Sequence, residues 1–300
     1  TTPHLIDGFD GRARAFIEVQ QGCDHRCSFC IIPFGRGPNR SVALGPIITQ
    51  IRHLVTRGCQ EIVLTGVDLA SFGGDLPGQP RLGELVRRIL RLVPELPRLR
   101  LSSLDPAYID EDVWRALAEE PRLMPHLHLS IQAGHDLILK RMKRRHLVAD
   151  IYAVIAKARQ VRPEIAIGAD FIAGFPTESE QQAAATRELI TACNLNFLHV
   201  FPYSPRPGTP AARMPQLAPA LITERAAKLR ELGNFQRDKF LGSRLGKTEE
   251  ILWETENFGH SPHFADFTLT AGCNNFGKIG KIGQVYVTGH EDGKLLGWAV

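Results

Sequence analysis

Apolar residues follow two different spacings along most of the chain. Short runs rich in apolar residues, which are typical of buried strands, occur six times, at residues 14–20, 61–66, 98–104, 126–132, 164–172 and 196–204. Between these runs, apolar residues recur with a period near 3.6, as on one face of a helix, at residues 47–55, 82–92, 113–117, 151–158 and 180–190. Six successive strand–helix units predict an α/β fold with parallel strands and right-handed crossovers. We expect a partial (β/α)6 parallel barrel, an open version of the eight-stranded barrel, with its chemistry at the carboxyl ends of the strands.

The pattern changes after the sixth strand. A stretch with five prolines at residues 202–215 predicts a stiff irregular loop, and a long helix is expected over residues 221–240. From residue 242 onward, short strand-like pieces alternate with turns rich in glycine and asparagine. We therefore expect two domains, a barrel over residues 1–240 and a small all-β barrel over residues 241–300.

The composition and charge of the chain limit the classes of protein to which it can belong. With 43% hydrophobic and 23% charged residues in 300, the chain is typical of a globular protein. It contains no apolar run of about 18 residues, so we expect no membrane span. Its net charge of +4 permits an anionic partner such as RNA without requiring one. The second domain carries five Lys or Arg against seven Asp or Glu, a net −2, whereas an RNA-binding barrel usually has a basic face.

Three of the six cysteines are crowded into the sequence GCDHRCSFC, as Cys23, Cys27 and Cys30. Three thiolates on one loop can hold a 4Fe–4S cluster and leave one iron open, and that iron can chelate a substrate. The alternatives are a structural zinc ion, with His25 or a distant residue as fourth ligand, and no metal at all. The other three cysteines are interpreted as buried apolar residues, and they are Cys59, Cys193 and Cys273.

Polar residues cluster where the predicted strands end. Asp68 follows the second strand, and either binds a cation or caps a turn. Asp170 lies in the apolar fifth strand and needs a partner, at a cofactor or in a neighbouring loop. The basic run 140–146 either binds phosphate or is a solvated helix face. Small polar residues also end the third and fourth strands, namely Ser102, Ser103, Ser130 and Gln132.

The cysteine motif resembles that of the radical S-adenosylmethionine (radical SAM) superfamily, in which an aromatic residue precedes the last cysteine. The longer string IEVQQGCDHRCSFCIIPFGRGPNRS resembles the methylthiotransferases. GRGPNRS and LTGVDLASFGGDL favour the branch that modifies N6-threonylcarbamoyladenosine in tRNA. Further similar strings are LSSLDP, LHLSIQAGHDLILKRMKRRH, ADFIAGFPTESE and HVFPYSPRPGTPAARMP. The last 60 residues resemble, more loosely, a TRAM-like RNA-binding β-barrel.

The resemblance implies roles for individual residues. Cys23, Cys27 and Cys30 would hold the cluster. The residues implied in S-adenosylmethionine binding are Phe29, whose backbone contacts adenine; Thr65, Gly66 and Asp68 near the ammonium group; Ser103, Ser130 and Gln132 at the ribose or carboxylate; Arg144, favoured over Arg145, at the carboxylate; and Asp170 and Phe201. Arg36 and Arg40 would lie at the mouth of the barrel, where an anionic tRNA loop binds.

The resemblance also implies the reaction. The cluster reduces S-adenosylmethionine, a 5′-deoxyadenosyl radical forms, and a methylthio group replaces hydrogen at C2 of the modified adenosine next to the anticodon. In the family a second 4Fe–4S cluster, thought to bear the donated sulfur, is held by an upstream domain that the given sequence does not contain. We therefore expect cofactor cleavage by this chain, with little complete methylthiolation.

The expected partners are tRNA and an electron donor such as flavodoxin or ferredoxin, with a monomeric protein in the cytoplasm and no membrane. Other acceptors for the same chemistry are isopentenyladenosine in tRNA and a ribosomal protein. A different class of function is a metal-stabilised RNA-binding module without turnover.

Overall fold

The structure, a computed structural model, describes residues 13–270 and 277–300. Its strands are β1 (Arg14–Gln21), β2 (Arg40–Ser41), β3 (Glu61–Gly66), β4 (Arg98–Leu101), β5 (Ser103–Leu104), β6 (His126–Gln132), β7 (Ala166–Ala173), β8 (Phe197–Pro202), β9 (Thr248–Trp253), β10 (Phe258–His260), β11 (Asp266–Leu269), β12 (Ile282–Glu291) and β13 (Lys294–Ala299). Its α-helices are α1 (Ile32–Arg36), α2 (Leu44–Thr56), α3 (Leu82–Leu92), α4 (Glu111–Glu119), α5 (Asp136–Arg141), α6 (Val148–Val161), α7 (Glu180–Ala192) and α8 (Pro219–Gly242).

The predicted parallel strands form a partial barrel in two sheets. The first sheet has the order β2-β1-β3-β4 and the second has the order β5-β6-β7-β8. All of these pairs are parallel except that of β2 with β1, so β2 is an antiparallel addition at the edge. The third predicted strand is divided at Ser102, where one half pairs with β3 and the other with β6. The partial (β/α)6 barrel is confirmed, and Ser102 marks the place where its wall changes sheet.

The helices cover the outside of this barrel. Each predicted helical segment lies within an observed helix, and α3 buries Leu85, Val86 and Ile89 on the face that its apolar spacing defines. One continuous core joins helices and strands, with Ile17, Leu64 and many other aliphatic side chains buried. The short helix α5 was not predicted, because its six residues are too few to show a clear helical period. No helix in the described ranges is long and apolar enough to span a bilayer.

The C-terminal strands close into a separate small barrel in the order β10-β11-β13-β12-β9. The sequence predicts four strand-like pieces here and misses β10, whose three residues are too few for a clear pattern. Its core is centred on Trp253, Phe267 and Val285, and Trp253 packs edge-on against Phe267. Cys273, predicted to be buried, lies outside the described residues.

The small barrel lies against the amino ends of the parallel strands. Arg98 donates hydrogen bonds to the carbonyl oxygens of Glu250 and His260, and Arg100 donates to the carbonyl of Pro262. Arg100 also forms a two-pronged ion pair with the buried Glu61, with both N–O distances 3.0 Å. The end of the large barrel opposite its carboxyl edge therefore packs against the small barrel.

Candidate functional site

The three clustered cysteines lie on the loop that leaves the carboxyl end of β1. Gly22 begins this loop with φ of +69°, and a Cβ there would lie 1.9 Å from the carbonyl oxygen of Pro38. The amide of Cys23 donates to the carbonyl of Gly37, and the amide of Cys30 donates to that of Cys27. The loop is thus folded tightly against the segment that leads into β2, and it presents three sulfurs within eight residues.

Gln20, which the sequence analysis missed, fixes this loop to the next strand. Its side chain is fully buried, and its Nε2 donates to the carbonyl of Gly22 at 2.8 Å and to Oδ1 of Asn39 at 2.6 Å. Its Oε1 accepts from the amide of Asp68 at 2.8 Å. One amide side chain therefore joins the cysteine loop to the end of β3. In the sequence, only its position near the end of an apolar strand distinguishes it.

The thiols lie in a partly desolvated environment. Burial raises the pKa of Cys23 to about 11 and also raises the pKa of Cys30. Nη1 of Arg144 lies 3.5 Å from Sγ of Cys27, which is buried. Since a metal ligand is the thiolate, these sulfurs need nearby cationic charge, which iron and Arg144 would provide.

The geometry of the loop fits an iron–sulfur cluster better than the zinc alternative. His25, the fourth zinc ligand named in the sequence analysis, has its Nε2 3.0 Å from Oδ2 of Asp68. Three sulfurs on one zinc ion would lie within about 4 Å of one another, given Zn–S bonds of about 2.3 Å. Among the described residues, the ligand set whose atoms approach within 4.8 Å of one another is His128, Asp170 and His199, and the three cysteines are not such a set. Three sulfurs that do not all lie within 4.8 Å of one another suit a multi-iron cluster better than a single zinc ion.

Asp68 lies beside the cysteine loop, at the end of β3. Its Oδ2 accepts from Oγ of Ser71 at 2.6 Å in addition to its contact with His25, and Cys23 Sγ is 3.9 Å away. Burial raises the pKa of Asp68, but the hydrogen bonds from His25 and Ser71 outweigh this and hold it below its usual value. The carboxylate is therefore ionised and close to the sulfurs. Thr65 and Gly66 precede it in β3, and a Cβ on Gly66 would meet Oε1 of Gln20 at 2.8 Å.

The polar residues of the third and fourth strands also reach this end of the barrel. Oγ of Ser102 is buried and has no hydrogen-bond partner within the described ranges, while Ser103 begins β5. Gln132 ends β6 with φ of +73°, at an irregularity in the β6–β7 pairing. A left-handed backbone at a non-glycine residue is strained, and such strain is concentrated at functional sites. These features make the carboxyl edge a polar rim with unused hydrogen-bonding capacity.

Arg144 and Arg145 have different surroundings. Nη2 of Arg144 donates to Oδ2 of Asp105 at 2.7 Å and to the carbonyl of Ser130 at 2.9 Å, and its side chain is buried. Arg145 instead hydrogen-bonds to the hydroxyl of Tyr108 and stacks over its ring on the surface. The structure thus brings Arg144, and not Arg145, to the cysteine loop. Asp105, which orients Arg144, was not singled out from the sequence.

Asp170 contacts residues on the neighbouring strands. These partners differ from the neighbouring loop that the sequence analysis considered. Its Oδ1 is 2.9 Å from Nε2 of His128 on β6 and 3.3 Å from Nδ1 of His199 on β8. Its Oδ2 accepts weakly from Oγ of Ser130 at 3.4 Å. The two histidines could not be selected beforehand, because their pairing depends on the register of three strands.

The remaining predicted residues lie around the edge of this site. Phe29 packs partly buried against the main core, and Phe201 near the end of β8 is 52% exposed. Arg36 ends α1 and is exposed, whereas Arg40 donates to the carbonyls of Pro38 and Arg36. Arg40 therefore supports the loop after the cluster motif as well as contributing charge.

Comparison with known proteins places this geometry in a family. Residues 17–190 match the family described as the Radical SAM superfamily. The chain is 48% identical over 295 residues to the threonylcarbamoyladenosine tRNA methylthiotransferase MtaB of Rickettsia prowazekii, covering 98% of this chain and 69% of that protein. It is 36% identical to the tRNA-2-methylthio-N(6)-dimethylallyladenosine synthase of Maricaulis maris (89% and 61% covered) and 38% identical to that of Paracoccus denitrificans (80% and 54%). The chain thus spans between about half and two thirds of the length of these relatives.

Solved structures agree on the fold. Methylornithine synthase (PylB) superposes with a TM-score of 0.53 at 16% identity, over 76% of this chain and 64% of that one. Coproporphyrinogen III oxidase (HemN) of Escherichia coli gives 0.52 at 18% identity, over 75% and 54%. At such low identity these likenesses bear on the architecture alone. The family match and the first of the tRNA-modifying relatives establish that the chain belongs to the Radical SAM superfamily and, within it, to the tRNA methylthiotransferases.

Proposed function

We propose that this chain carries the catalytic barrel of a methylthiotransferase that modifies C2 of N6-threonylcarbamoyladenosine in tRNA. The observation that carries the proposal is the loop of Cys23, Cys27 and Cys30 at the carboxyl edge of the barrel, with Arg144 directed at Cys27. The choice of nucleoside is supported by the 48% identity to the relative named for threonylcarbamoyladenosine. That identity exceeds the identities to the two relatives named for dimethylallyladenosine.

The family uses a 4Fe–4S cluster and S-adenosylmethionine. When bound, they supply reductive cleavage of the sulfonium and a radical able to take hydrogen from an unactivated carbon. The protein holds the reacting groups and excludes water. Cys23, Cys27 and Cys30 would bind three irons, and Gln20 and Arg144 would position the loop that carries them.

The polar rim is proposed to bind S-adenosylmethionine. Asp68 is an ionised carboxylate near the sulfurs and suits an ammonium group, as do the carbonyls of Thr65 and Gly66. Arg144 suits the opposite charge of the carboxylate. The other proposed contacts, which are Phe29, Ser103, Ser130, Gln132, Asp170 and Phe201, flank the same edge or line the strands below it.

We further propose that Arg36 and Arg40 and the small barrel contact tRNA. The net −2 of residues 242–300 does not oppose this, because much of its charge is used at the domain interface. Arg244, Lys247, Glu250 and Glu254 form ion pairs across that interface, Glu249 pairs with Arg244, and Asp266 pairs with His260 on the neighbouring strand. The division into domains 1–240 and 241–300, a TRAM-like role for the second, a flavodoxin or ferredoxin as electron donor, a monomeric state and a cytoplasmic location are part of the same proposal.

The cluster is tested by anaerobic reconstitution with iron and sulfide, followed by an assay for 5′-deoxyadenosine with S-adenosylmethionine and a reductant. Wild-type protein should be coloured and should form 5′-deoxyadenosine. Cys27→Ala should lose this activity and keep its fold, whereas Cys59→Ala, at a buried cysteine of the core, should retain both. A colourless, iron-free wild-type preparation would favour the RNA-binding module instead.

The substrate is tested separately with RNA that carries threonylcarbamoyladenosine deuterated at C2. Since the proposed chemistry removes the hydrogen at C2, deuterium should appear in 5′-deoxyadenosine. Cofactor cleavage without deuterium transfer from this RNA would contradict the proposed substrate while leaving the radical chemistry intact.

A further inference from the structure

Three polar side chains form a cluster on neighbouring strands of the barrel, away from the cysteine loop. His128, Asp170 and His199 belong to β6, β7 and β8, and the strand register places Asp170 opposite His199. The two imidazole rings lie 4.4 Å apart, centre to centre, with an interplanar angle of 36°. Both contact the same carboxylate oxygen of Asp170. The cluster therefore has a defined geometry and is built by three adjacent strands.

The backbone is shaped to admit this cluster. A Cβ on Gly168 would lie 2.4 Å from Nδ1 of His128, so a larger residue at 168 would displace the ring. His128 is buried, with Nε2 directed at Asp170. Because Oδ2 of Asp170 also contacts Ser130, both carboxylate oxygens have partners. Within this cluster, Asp170 and His128 therefore orient His199, which is the member that reaches solvent.

His199 is oriented so that one ring nitrogen is held and the other is available. Its Nδ1 faces Asp170, while its side chain is 62% exposed. The hydrogen bond to Asp170 raises the pKa of His199 above its usual value. Burial raises the pKa of Asp170, but the hydrogen bonds from His128 and His199 outweigh it and keep this carboxylate ionised. A protonated His199 has a second N–H, at Nε2, on the side of the ring away from Asp170.

A chain of contacts connects this cluster to the cysteine loop. Ser130 contacts Asp170 through its hydroxyl, and its carbonyl accepts from Arg144, whose other nitrogen reaches Cys27. A substrate whose reacting carbon is close to the cofactor could therefore place a substituent of its base at this cluster.

We propose that His199, held by Asp170 and His128, binds the carboxylate of the threonyl group on the substrate nucleoside. This inference rests on the proposed function and identifies a specificity determinant within it. The threonylcarbamoyl group ends in an anionic carboxylate, whereas a dimethylallyl group is a hydrocarbon. An imidazolium that faces solvent can form a charge-assisted hydrogen bond with the carboxylate and can form no such bond with the hydrocarbon. A site built to pair with a polar substituent discriminates strongly against an analogue that lacks it.

The test uses anticodon stem-loop RNAs that are identical except at one nucleoside. That nucleoside is threonylcarbamoyladenosine, its methyl ester, dimethylallyladenosine or adenosine. The reconstituted chain with S-adenosylmethionine and no reductant is titrated with each RNA under anaerobic conditions, and Kd is measured by fluorescence anisotropy. Wild-type protein should bind the acid about tenfold or more tightly than the ester, as expected for a hydrogen bond to a charged group.

His199→Gln should weaken binding of the acid by about the same factor and leave binding of the ester and of adenosine within about twofold, which is the signature of a direct pairwise interaction. The matched control is His53→Gln, because His53 is exposed on α2, outside the barrel. It should bind every RNA as the wild-type protein does.

The outcomes separate the two levels of the argument. If the wild-type chain binds none of the stem-loops, the proposed function fails and this inference fails with it. If it binds them but His199→Gln weakens acid and ester equally, only the role of His199 is overturned. Metal analysis provides a further check, because two imidazoles and a carboxylate can also hold a divalent ion. If the wild-type protein holds one equivalent of a non-iron divalent metal and His199→Gln holds none, the cluster is a metal site and the proposed carboxylate binding is wrong.

Discussion

At the scale of single residues, the cysteine loop depends on a side chain that is not itself a ligand. From a fully buried position, the Gln20 side chain hydrogen-bonds to the carbonyls of Gln21 and Gly22, to Asn39 and to the end of β3. An amide suits this position because it donates on one side and accepts on the other. The distance between the sulfurs and the carboxylate of Asp68 is thereby set by the protein before any cofactor binds.

Replacing Gln20 by methionine should therefore loosen the cluster. The substitution keeps a similar volume but leaves the amide of Asp68 and the carbonyl of Gly22 without their partner, at a cost of about 2 kcal/mol in the free energy of unfolding. The reconstituted variant should lose iron to a chelator faster than the wild-type protein. Gln181→Met, at an exposed position of α7, is the control. Equal rates of iron loss in all three proteins would show that the loop does not need Gln20.

At the residue level, the sequence is most informative where the chemistry is local. The three cysteines lie within eight residues, so their spacing alone predicts a shared metal or cluster site, and the structure keeps them on one loop. Gln20, His128 and His199 could not be identified in this way. Their roles depend on partners up to 71 residues apart, as between His128 and His199, which only the strand register brings together.

At the scale of secondary structure elements, the six predicted strands and their helices are present, and their apolar spacing reflects burial in every strand except β8, which has no fully buried residue. The division of the third strand at Ser102 was not predictable, since Arg98–Leu101 and Ser103–Leu104 form one continuous pattern in the sequence. The separation arises because the first half follows β3 and the second follows β6. It leaves the buried hydroxyl of Ser102 at the carboxyl edge, where polar contacts are needed.

The long helix α8 is attached to the barrel by a buried ion pair. Nη1 of Arg225 donates to Oε2 of Glu178 at 2.9 Å and to its carbonyl at 2.8 Å, and Glu178 also accepts from the amide of Gly174. Burial raises the pKa of Glu178, which shows how much this carboxylate depends on its partner. The contact joins α8 to the turn between β7 and α7.

Arg225→Met should accordingly destabilise the protein. It leaves Glu178 buried without a counter-charge, and we expect the free energy of unfolding to fall by about 3 kcal/mol, measured by urea denaturation. Lys228→Met, on the same helix, removes an exposed pair with Glu224 and should change stability by less than about 1 kcal/mol. Equal effects of the two substitutions on the free energy of unfolding would show that the buried pair contributes no more stability than the exposed pair.

At the scale of the whole molecule, aromatic and basic residues join the two barrels. Phe264 of the small barrel lies beneath the guanidinium groups of Arg14 and Arg100, at 5.2 and 4.8 Å from its ring centre, and beside the ring of His126 at 5.3 Å. No sequence pattern predicted this contact, because Arg14 and Arg100 are charged residues in otherwise apolar strands. Their charges are satisfied by the small barrel and by Glu61.

This interface should weaken in mild acid. Burial, together with the nearby charge of Arg100, lowers the pKa of His126 well below its usual value, and burial with Arg244 lowers that of His263 to about 3. Such histidines take up a proton in the unfolded chain first, near pH 6.5. Their contribution to stability is therefore complete above that pH and is lost as the pH falls toward the folded pKa.

His199 acts in the opposite direction, so the slope of wild-type stability alone does not isolate the interface. Its raised pKa gives a contribution to stability that is present at low pH and lost as the pH rises through the pKa of the folded state.

The informative quantity is the difference in stability between the wild-type protein and His126→Phe, which keeps an aromatic ring beside Phe264 and removes the titrating group. Measured by urea denaturation between pH 7.5 and 5.0, the wild-type protein should lose more stability than the variant, by up to about 1.4 kcal/mol per pH unit below 6.5. Carboxylates with lowered pKa values, such as Asp105 and Asp266, remain ionised in both proteins over this range and cancel in the comparison. Parallel curves for the two proteins would show that the interface does not exclude the proton from His126.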